Sequence, residues 1–246
     1  MNKISGAFSG GKALIAYLMA GDPNLEISAR HILAAQQAGA DMIQIGIPFS
    51  DPIAEGDEIE AANIRALSAG TRLDGVFEMV ASIKDAVRVP LVFMTYLNPV
   101  FVYGYDRFFA RCVEIGVAGI IIPDMPFEEQ AEVREAAGRH GVEVVTLVAP
   151  TSAERVAKIA GQAQGFIYIV SQMGEVTADL AAQIRRVTDI PIAIGLDPSC
   201  LRQCSAIADG MVVGSAMVSI VGRYGKDAEQ PLCEYIKSVE ESMATC

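Results

Sequence analysis

The sequence predicts a single (β/α)8 barrel domain over residues 1–246, and three observations predict it. A length of 246 residues at 52% hydrophobic content suits one large α/β domain. Eight short apolar runs recur along the chain, β-branched and nearly unbroken by polar residues. Parallel strands buried on both faces read this way. Segments of helical period stand between the runs, and eight such alternations close a barrel. A doubly wound open sheet is the competing architecture, but no GxGxxG follows the first run.

In order, the first strand is "ALIAYLMAG" (13–21), followed by the helical "LEISARHILAAQQAG" (25–39), which starts with an acid and stops at a glycine. The second strand is "MIQIGI" (42–47), which carries an amide, Gln44, among its apolar residues. The third and fourth are "PLVFMTY" (90–96) and "GIIIPD" (119–124). After the fourth, "FEEQAEVREAAGRHG" (127–141) repeats the pattern of acids first and glycine last. "EVVTLVAP" (143–150) is the fifth strand, and the helix behind it, "TSAERVAKIAGQAQG" (151–165), has Thr151 or Ser152 as a natural cap. "FIYIVSQ" (166–172), "IPIAIGLD" (190–197) and "GMVVGSA" (210–216) complete the eight.

A barrel places its active site at the C-terminal ends of the strands. The residues there include Asp22, the loop Pro48–Gly56, Tyr96 to Asn98, Asp124, Ser171 to Gly174, Asp197, Gly214 and Ser215. Acids dominate, and no Lys or Arg lies directly at a strand end, which argues against Schiff-base chemistry. Composition excludes other classes. The net charge of -11, from 19 basic and 30 acidic residues, disfavours nucleic acid and anionic membranes as partners. No apolar run approaches the ~20 residues that span a bilayer. The opening "MNKISGAFSGGK" lacks the apolar core of a signal peptide, so a cytoplasmic protein is expected. Cys112, Cys200, Cys204, Cys233 and Cys246 form no CxxC and have two histidines for company, which predicts free thiols and no metal site.

At the strand ends the sequence resembles the tryptophan synthase α-subunit family. The resemblance rests on "AGDPNLE", "GADMIQIGIPFSDPIAEG", "TYLNPVFVYG", "IIIPDMPFEE", "LVAPTS" and "VVGSAMV", and it runs essentially end to end. It implies a (β/α)8 barrel that cleaves indole-3-glycerol phosphate to indole and glyceraldehyde 3-phosphate by a retro-aldol step. No covalent intermediate and no cofactor in this chain are implied. It also implies a partner, a pyridoxal-phosphate β subunit that receives the indole.

The family's two catalytic carboxyl positions fall on Gln44, in the second strand, and Glu55, in the loop after it. The resemblance places Tyr17, Met94, Tyr168 and Leu196 in the substrate pocket and Gly174, Gly195, Gly214 and Ser215 at the substrate phosphate. It places Asp51, Pro52, Asn98 and Pro99 at the partner interface. Three departures stand out. An amide at Gln44 cannot exchange protons near neutral pH, which leaves Glu55 as the base. Its competing reading is a solvated loop acid beside Asp57, Glu58 and Glu60. The turn "IGLDPSC" puts Leu196 and Asp197 where the family has an aromatic residue and a glycine. Asp197 before Pro198 reads as a helix cap, and its charge repels phosphate. The segment "SQMGEVTADLAAQIRRVTDIP" is shorter than the family's lid loop, with Gln172 in place of an Arg. The expected activity is therefore weak or lost. The competing readings are an inactive barrel that modulates a β subunit, and a repurposed lyase or isomerase whose acidic rim (Asp22, Asp51, Glu55, Asp124, Asp197) holds an uncharged or cationic ligand or Mg²⁺.

Overall fold

The computed structural model describes residues 3–53, 55–151, 153–169, 178–195 and 206–244. Nine strands form one sheet: β1 (Ala13–Met19), β2 (Met42–Gly46), β3 (Leu91–Met94), β4 (Val117–Ile121), β5 (Glu143–Val144), β6 (Thr146–Val148), β7 (Ile167–Ile169), β8 (Ile192–Gly195) and β9 (Gly210–Val213). Their order is β5-β4-β3-β2-β1-β9-β8-β7-β6, and every neighbouring pair is parallel. The two end strands of that order, β5 and β6, are separated in the chain by Val145 alone. The chain itself therefore closes the barrel.

That closure corrects one sequence expectation. The fifth run, "EVVTLVAP", is not one strand but two. Its first half pairs with β4 and its second half with β7, while the Val145 N–H donates to the Ile120 carbonyl at 2.9 Å. A segment serving two neighbours that twist apart bends between them. The runs 13–21, 42–47, 90–96, 119–124 and 210–216 end earlier than the apolar pattern suggests. β3 stops at Met94 because Thr95 and Tyr96, although buried, already lead into the next helix.

The unbroken apolar character of the strands reflects two buried faces. Along β1, Ile15, Tyr17 and Met19 point into the barrel with Met42, Val92, Ile121, Phe166, Ala193 and Val212. Leu14, Ala16 and Leu18 point outward to meet Ile32, Ala35 and Ile236 on the surrounding helices. Ile4, on the short helix α1 (Lys3–Gly6), is fully buried at the opposite end of the barrel from the strand C-termini. A Cβ at Gly119 or Gly165 would come within 2.7 or 3.3 Å of it, so those glycines make room for this plug.

The helices follow as α2 (Leu25–Gln37), α3 (Asp57–Ser68), α4 (Leu73–Ile83), α5 (Leu97–Tyr103), α6 (Tyr105–Glu114), α7 (Ala131–His140), α8 (Ala153–Ala160), α9 (Ala178–Arg185), α10 (Ser215–Tyr224) and α11 (Glu229–Ala244). The segment 127–141 is divided, with a 3-10 turn at Phe127–Glu129 before α7. Helix α2 starts because Asn24 caps it, its side-chain oxygen accepting the Ile27 N–H at 2.9 Å. Asn24→Ala should cost about 1 kcal/mol, read as a lower urea midpoint at unchanged slope. Among the described residues no helix is long and apolar enough to cross a membrane.

Candidate active site

A cavity of about 610 Å³ opens at the C-terminal ends of the strands. Tyr17, Gln44, Glu55, Met94, Tyr168 and Gly214 all line it, so six of the residues picked out in the sequence converge on one space. A slightly larger hollow, about 680 Å³, lies at the other end around Gly6, Asp41 and Arg88. The C-terminal mouth is where barrels carry out chemistry, and it alone contains the converging residues.

Glu55 is the only carboxyl among the described residues lining this mouth cavity. Burial pushes its pKa up to about 7, opposed by hydrogen bonds from Asn63 and Tyr96 and reinforced by the nearby Glu60 charge. Both partners are fixed. Asn63, buried on α3, donates to Glu55 Oε2 and to the Ile59 carbonyl at 3.2 Å, and its oxygen accepts the Phe49 N–H at 3.0 Å. Tyr96 stacks obliquely on Phe49 at 5.1 Å, and its hydroxyl oxygen accepts the Ile53 N–H at 3.1 Å. A loop acid free in solvent would have neither the burial nor these partners. Near neutral pH such a carboxyl is poised between its two forms, as a proton-transfer group needs.

Gln44 is fully enclosed at 1% exposure. Its amide nitrogen donates to Met94 Sδ at 2.8 Å, and its Oε1 has no partner among the described residues. The parallel register sets Gln44 directly beside Tyr17 on β1. The Tyr17 ring crosses β2 so that a Cβ at Gly46 would lie 2.2 Å from its hydroxyl. Only glycine fits there. Burial raises the Tyr17 pKa well above the usual value, with the Glu55 charge adding to it, so the phenol keeps its proton. Across the cavity burial pushes Tyr168 up to about 12, and a Cβ at Gly195 would stand 3.3 Å from its hydroxyl.

Two acids of the expected rim, Asp22 and Asp124, are held in place by other groups of the fold. Asp22, 2% exposed, is held by Arg65 of α3, with Nε to Oδ1 at 2.9 Å and Nη2 to Oδ2 at 2.7 Å. Asp124 accepts the Leu97 N–H at 2.9 Å and so shapes the start of α5. Both are occupied structurally. Among the described residues no group of three His, Cys, Asp or Glu could hold a metal ion. Asp197 lies outside the described residues, as do Leu196, Gly174, Gln172 and Pro198.

Of the other positions, Gly214 lines the cavity and precedes α10, whose first residue is the exposed Ser215. The first turn of α10 carries no acid, and its leading N–H groups have no intrahelical acceptor. Gly195 ends β8. Asp51 is exposed and Pro52 half-buried on the loop after β2, while Asn98 is exposed and Pro99 half-buried in the first turn of α5. Ile53, Phe101 and Val102 beside them are 77%, 63% and 75% exposed. Sequence reasoning missed Asn63, Gln130 and Arg155, and it placed Tyr96 at a strand end without linking it to Glu55. Arg155 and Gln130 line the cavity, and the Arg155 guanidinium grips Glu128 through two hydrogen bonds, of 2.6 and 3.0 Å.

Fold and site together define a class: a (β/α)8 barrel whose mouth, among the described residues, holds one carboxyl of raised pKa in an aromatic, largely apolar pocket. The comparisons with known proteins make the assignment specific. Residues 7–245 match the family described as "Tryptophan synthase alpha chain". The chain is 41% identical to the tryptophan synthase alpha chain of Lactiplantibacillus plantarum over 256 residues, covering 99% of this chain and 97% of that one. It is 39% identical to that of Lacticaseibacillus casei over 252 residues, covering 97% and 94%. The subunit alpha structure from Legionella pneumophila superposes with a TM-score of 0.91 at 32% identity over 100% of both chains. A tryptophan synthase a2b2 complex from Pyrococcus furiosus contains a chain matching at 0.86 and 34% identity, over 94% of this chain and 99% of that one. The chain belongs to the tryptophan synthase alpha-chain family.

Proposed function

We propose that this chain, acting as one domain in the cytoplasm, cleaves indole-3-glycerol phosphate to indole and glyceraldehyde 3-phosphate, with Glu55 moving the proton. The observation that carries this reading is the Glu55 carboxyl, enclosed in the mouth cavity with a pKa raised to about 7. The carbon–carbon bond between the indole ring and its side chain breaks. Its electron pair goes to ring carbon 3, which gains a proton, and the alcohol on the adjacent side-chain carbon loses its proton and becomes the aldehyde. A carboxylate accepts the alcohol proton and, once protonated, can return one to the ring. A group half-ionised near neutral pH serves both directions. Gln44 can exchange no proton, so turnover should fall about 10²- to 10⁴-fold below that of a two-carboxyl site.

Gly214 and Ser215 at the α10 N-terminus suit the substrate phosphate, which helix-end N–H groups favour. Tyr17, Met94 and Tyr168 offer the indole an apolar bed. A β subunit is the partner expected on Asp51, Pro52, Asn98 and Pro99. The exposed Ile53, Phe101 and Val102, next to them in the chain, support that surface, because large apolar side chains left open to solvent suit a partner.

The test is indole release from synthetic indole-3-glycerol phosphate, with and without a tryptophan synthase β subunit. Slow but measurable release is expected. Binding to the β subunit without any release would establish the modulating, inactive barrel instead. Release as fast as that of two-carboxyl relatives would contradict the cost assigned to Gln44.

A further inference from the structure

Two buried polar atoms inside the mouth cavity have no partner among the described residues: the Tyr17 hydroxyl and Gln44 Oε1. They belong to side chains 2% and 1% exposed, and an unpaired polar group in such a place costs stability unless a ligand completes it. The pair is built, not incidental. In-register pairing sets the two residues side by side, and Gly46, two positions beyond Gln44 on the same face of β2, leaves the space that the Tyr17 hydroxyl fills. The Gln44 amide nitrogen is committed to Met94, which leaves its oxygen as an acceptor.

We propose that Tyr17 and Gln44 form a hydroxyl-binding subsite that takes the middle, non-reacting alcohol of the substrate's glycerol chain. The chemistry selects an alcohol. An O–H donor and a carbonyl acceptor on neighbouring strand residues match a group that both accepts and donates one hydrogen bond, and a neutral alcohol does so. Both members of the pair are neutral, and the phenol stays protonated because burial raises its pKa. The pair therefore holds an alcohol without removing its proton. The alcohol that does lose its proton, on the carbon bonded to the ring, is left to Glu55. Substitution of an acid by Gln44 thus exchanges a proton-transfer site for a binding site.

This inference rests on the substrate assigned above, and its test separates the two. The probes are indole-propanol phosphate, which has no side-chain alcohol, and its derivative with an alcohol on the middle carbon only. Neither can undergo the retro-aldol step, so both can be titrated calorimetrically. The middle-alcohol ligand should bind the natural chain roughly tenfold more tightly, the net worth of two hydrogen bonds. Tyr17→Phe should shrink that ratio to about threefold, because one of the two bonds is gone. The same substitution should leave the ligand-free chain at least as resistant to heat, since it deletes an unpaired buried hydroxyl. A purely structural tyrosine would instead lose stability and leave the ratio unchanged. Equal binding of the two ligands overturns the subsite while the assigned substrate stands. If neither ligand binds, the substrate assignment and the subsite both fail.

Discussion

Glu55→Gln should lower indole release about 10²- to 10⁴-fold, which for a chain already lacking the acid at Gln44 means loss of nearly all activity. The substitution keeps the side chain's length and an oxygen that can accept from Asn63, so packing is a poor explanation for the loss. Stability separates the roles further. Glu55 binds its proton more tightly in the folded chain, with the pKa raised from 4.5 to about 7 by burial. Its favourable contribution is therefore complete below about pH 4.5 and is lost as pH rises through about 7. Above that, the folded protein retains a charge partly withdrawn from water. Glu55→Gln should accordingly raise the thermal midpoint near pH 8 and leave it nearly unchanged near pH 5. Unchanged turnover in this variant would return Glu55 to the status of a bystander.

Arg65→Ala should destabilise the chain by roughly 3–5 kcal/mol, the cost of stranding a buried carboxylate. Asp22 is almost wholly enclosed and takes both of its charge-assisted bonds from the Arg65 guanidinium. The same Nη2 also donates to the Val218 carbonyl on α10 at 3.2 Å. Gly222 has no Cβ, which would lie 3.1 Å from the guanidinium, so the sequence leaves this path open for Arg65. One side chain thereby ties the loop after β1 to α3, which presents Asn63, and to α10, whose first turn is proposed to meet the phosphate. For a chain of this size the loss is equivalent to roughly 10 °C in the thermal midpoint. Arg65→Ala combined with Asp22→Asn should cost less than Arg65→Ala alone, because the stranded charge is gone. A double-mutant cycle by urea unfolding reads this directly, and strict additivity would contradict it.

Much of this molecule is legible in its sequence because burial on two faces leaves an unmistakable mark. The runs at 13–21, 42–47 and 210–216 each contain an observed strand, since both the barrel interior and the helix layer demand apolar side chains. The split at Val145 is not legible, because the residue is as apolar as its neighbours and only the change of pairing partner marks it. The site divides in the same way. Tyr17, Gln44, Glu55, Met94, Tyr168 and Gly214 could be placed from strand ends and family resemblance. That Asn63 and Tyr96 tune Glu55 could not be read there. Tyr96 lies 41 positions away in the chain, and Asn63 sits on a helix whose opening residues are acids facing solvent. Its one local signal is a lone amide between the buried Ala62 and Ala66. Asp22, read as part of an open acidic rim, is not legible for the same reason. Whether Asp22 is a free charge or half of an ion pair depends on Arg65, 43 residues on.

The most direct test of the central claim, that the enclosed Glu55 carboxyl moves the proton, is the pH dependence of kcat/KM for indole-3-glycerol phosphate cleavage. Between about pH 5.5 and 8.5 the natural chain should show one transition centred near 7, the pKa to which burial raises Glu55. Glu55→Gln should abolish that transition together with most of the rate. A profile that stays flat across the range, or a transition that survives in Glu55→Gln, would contradict the account.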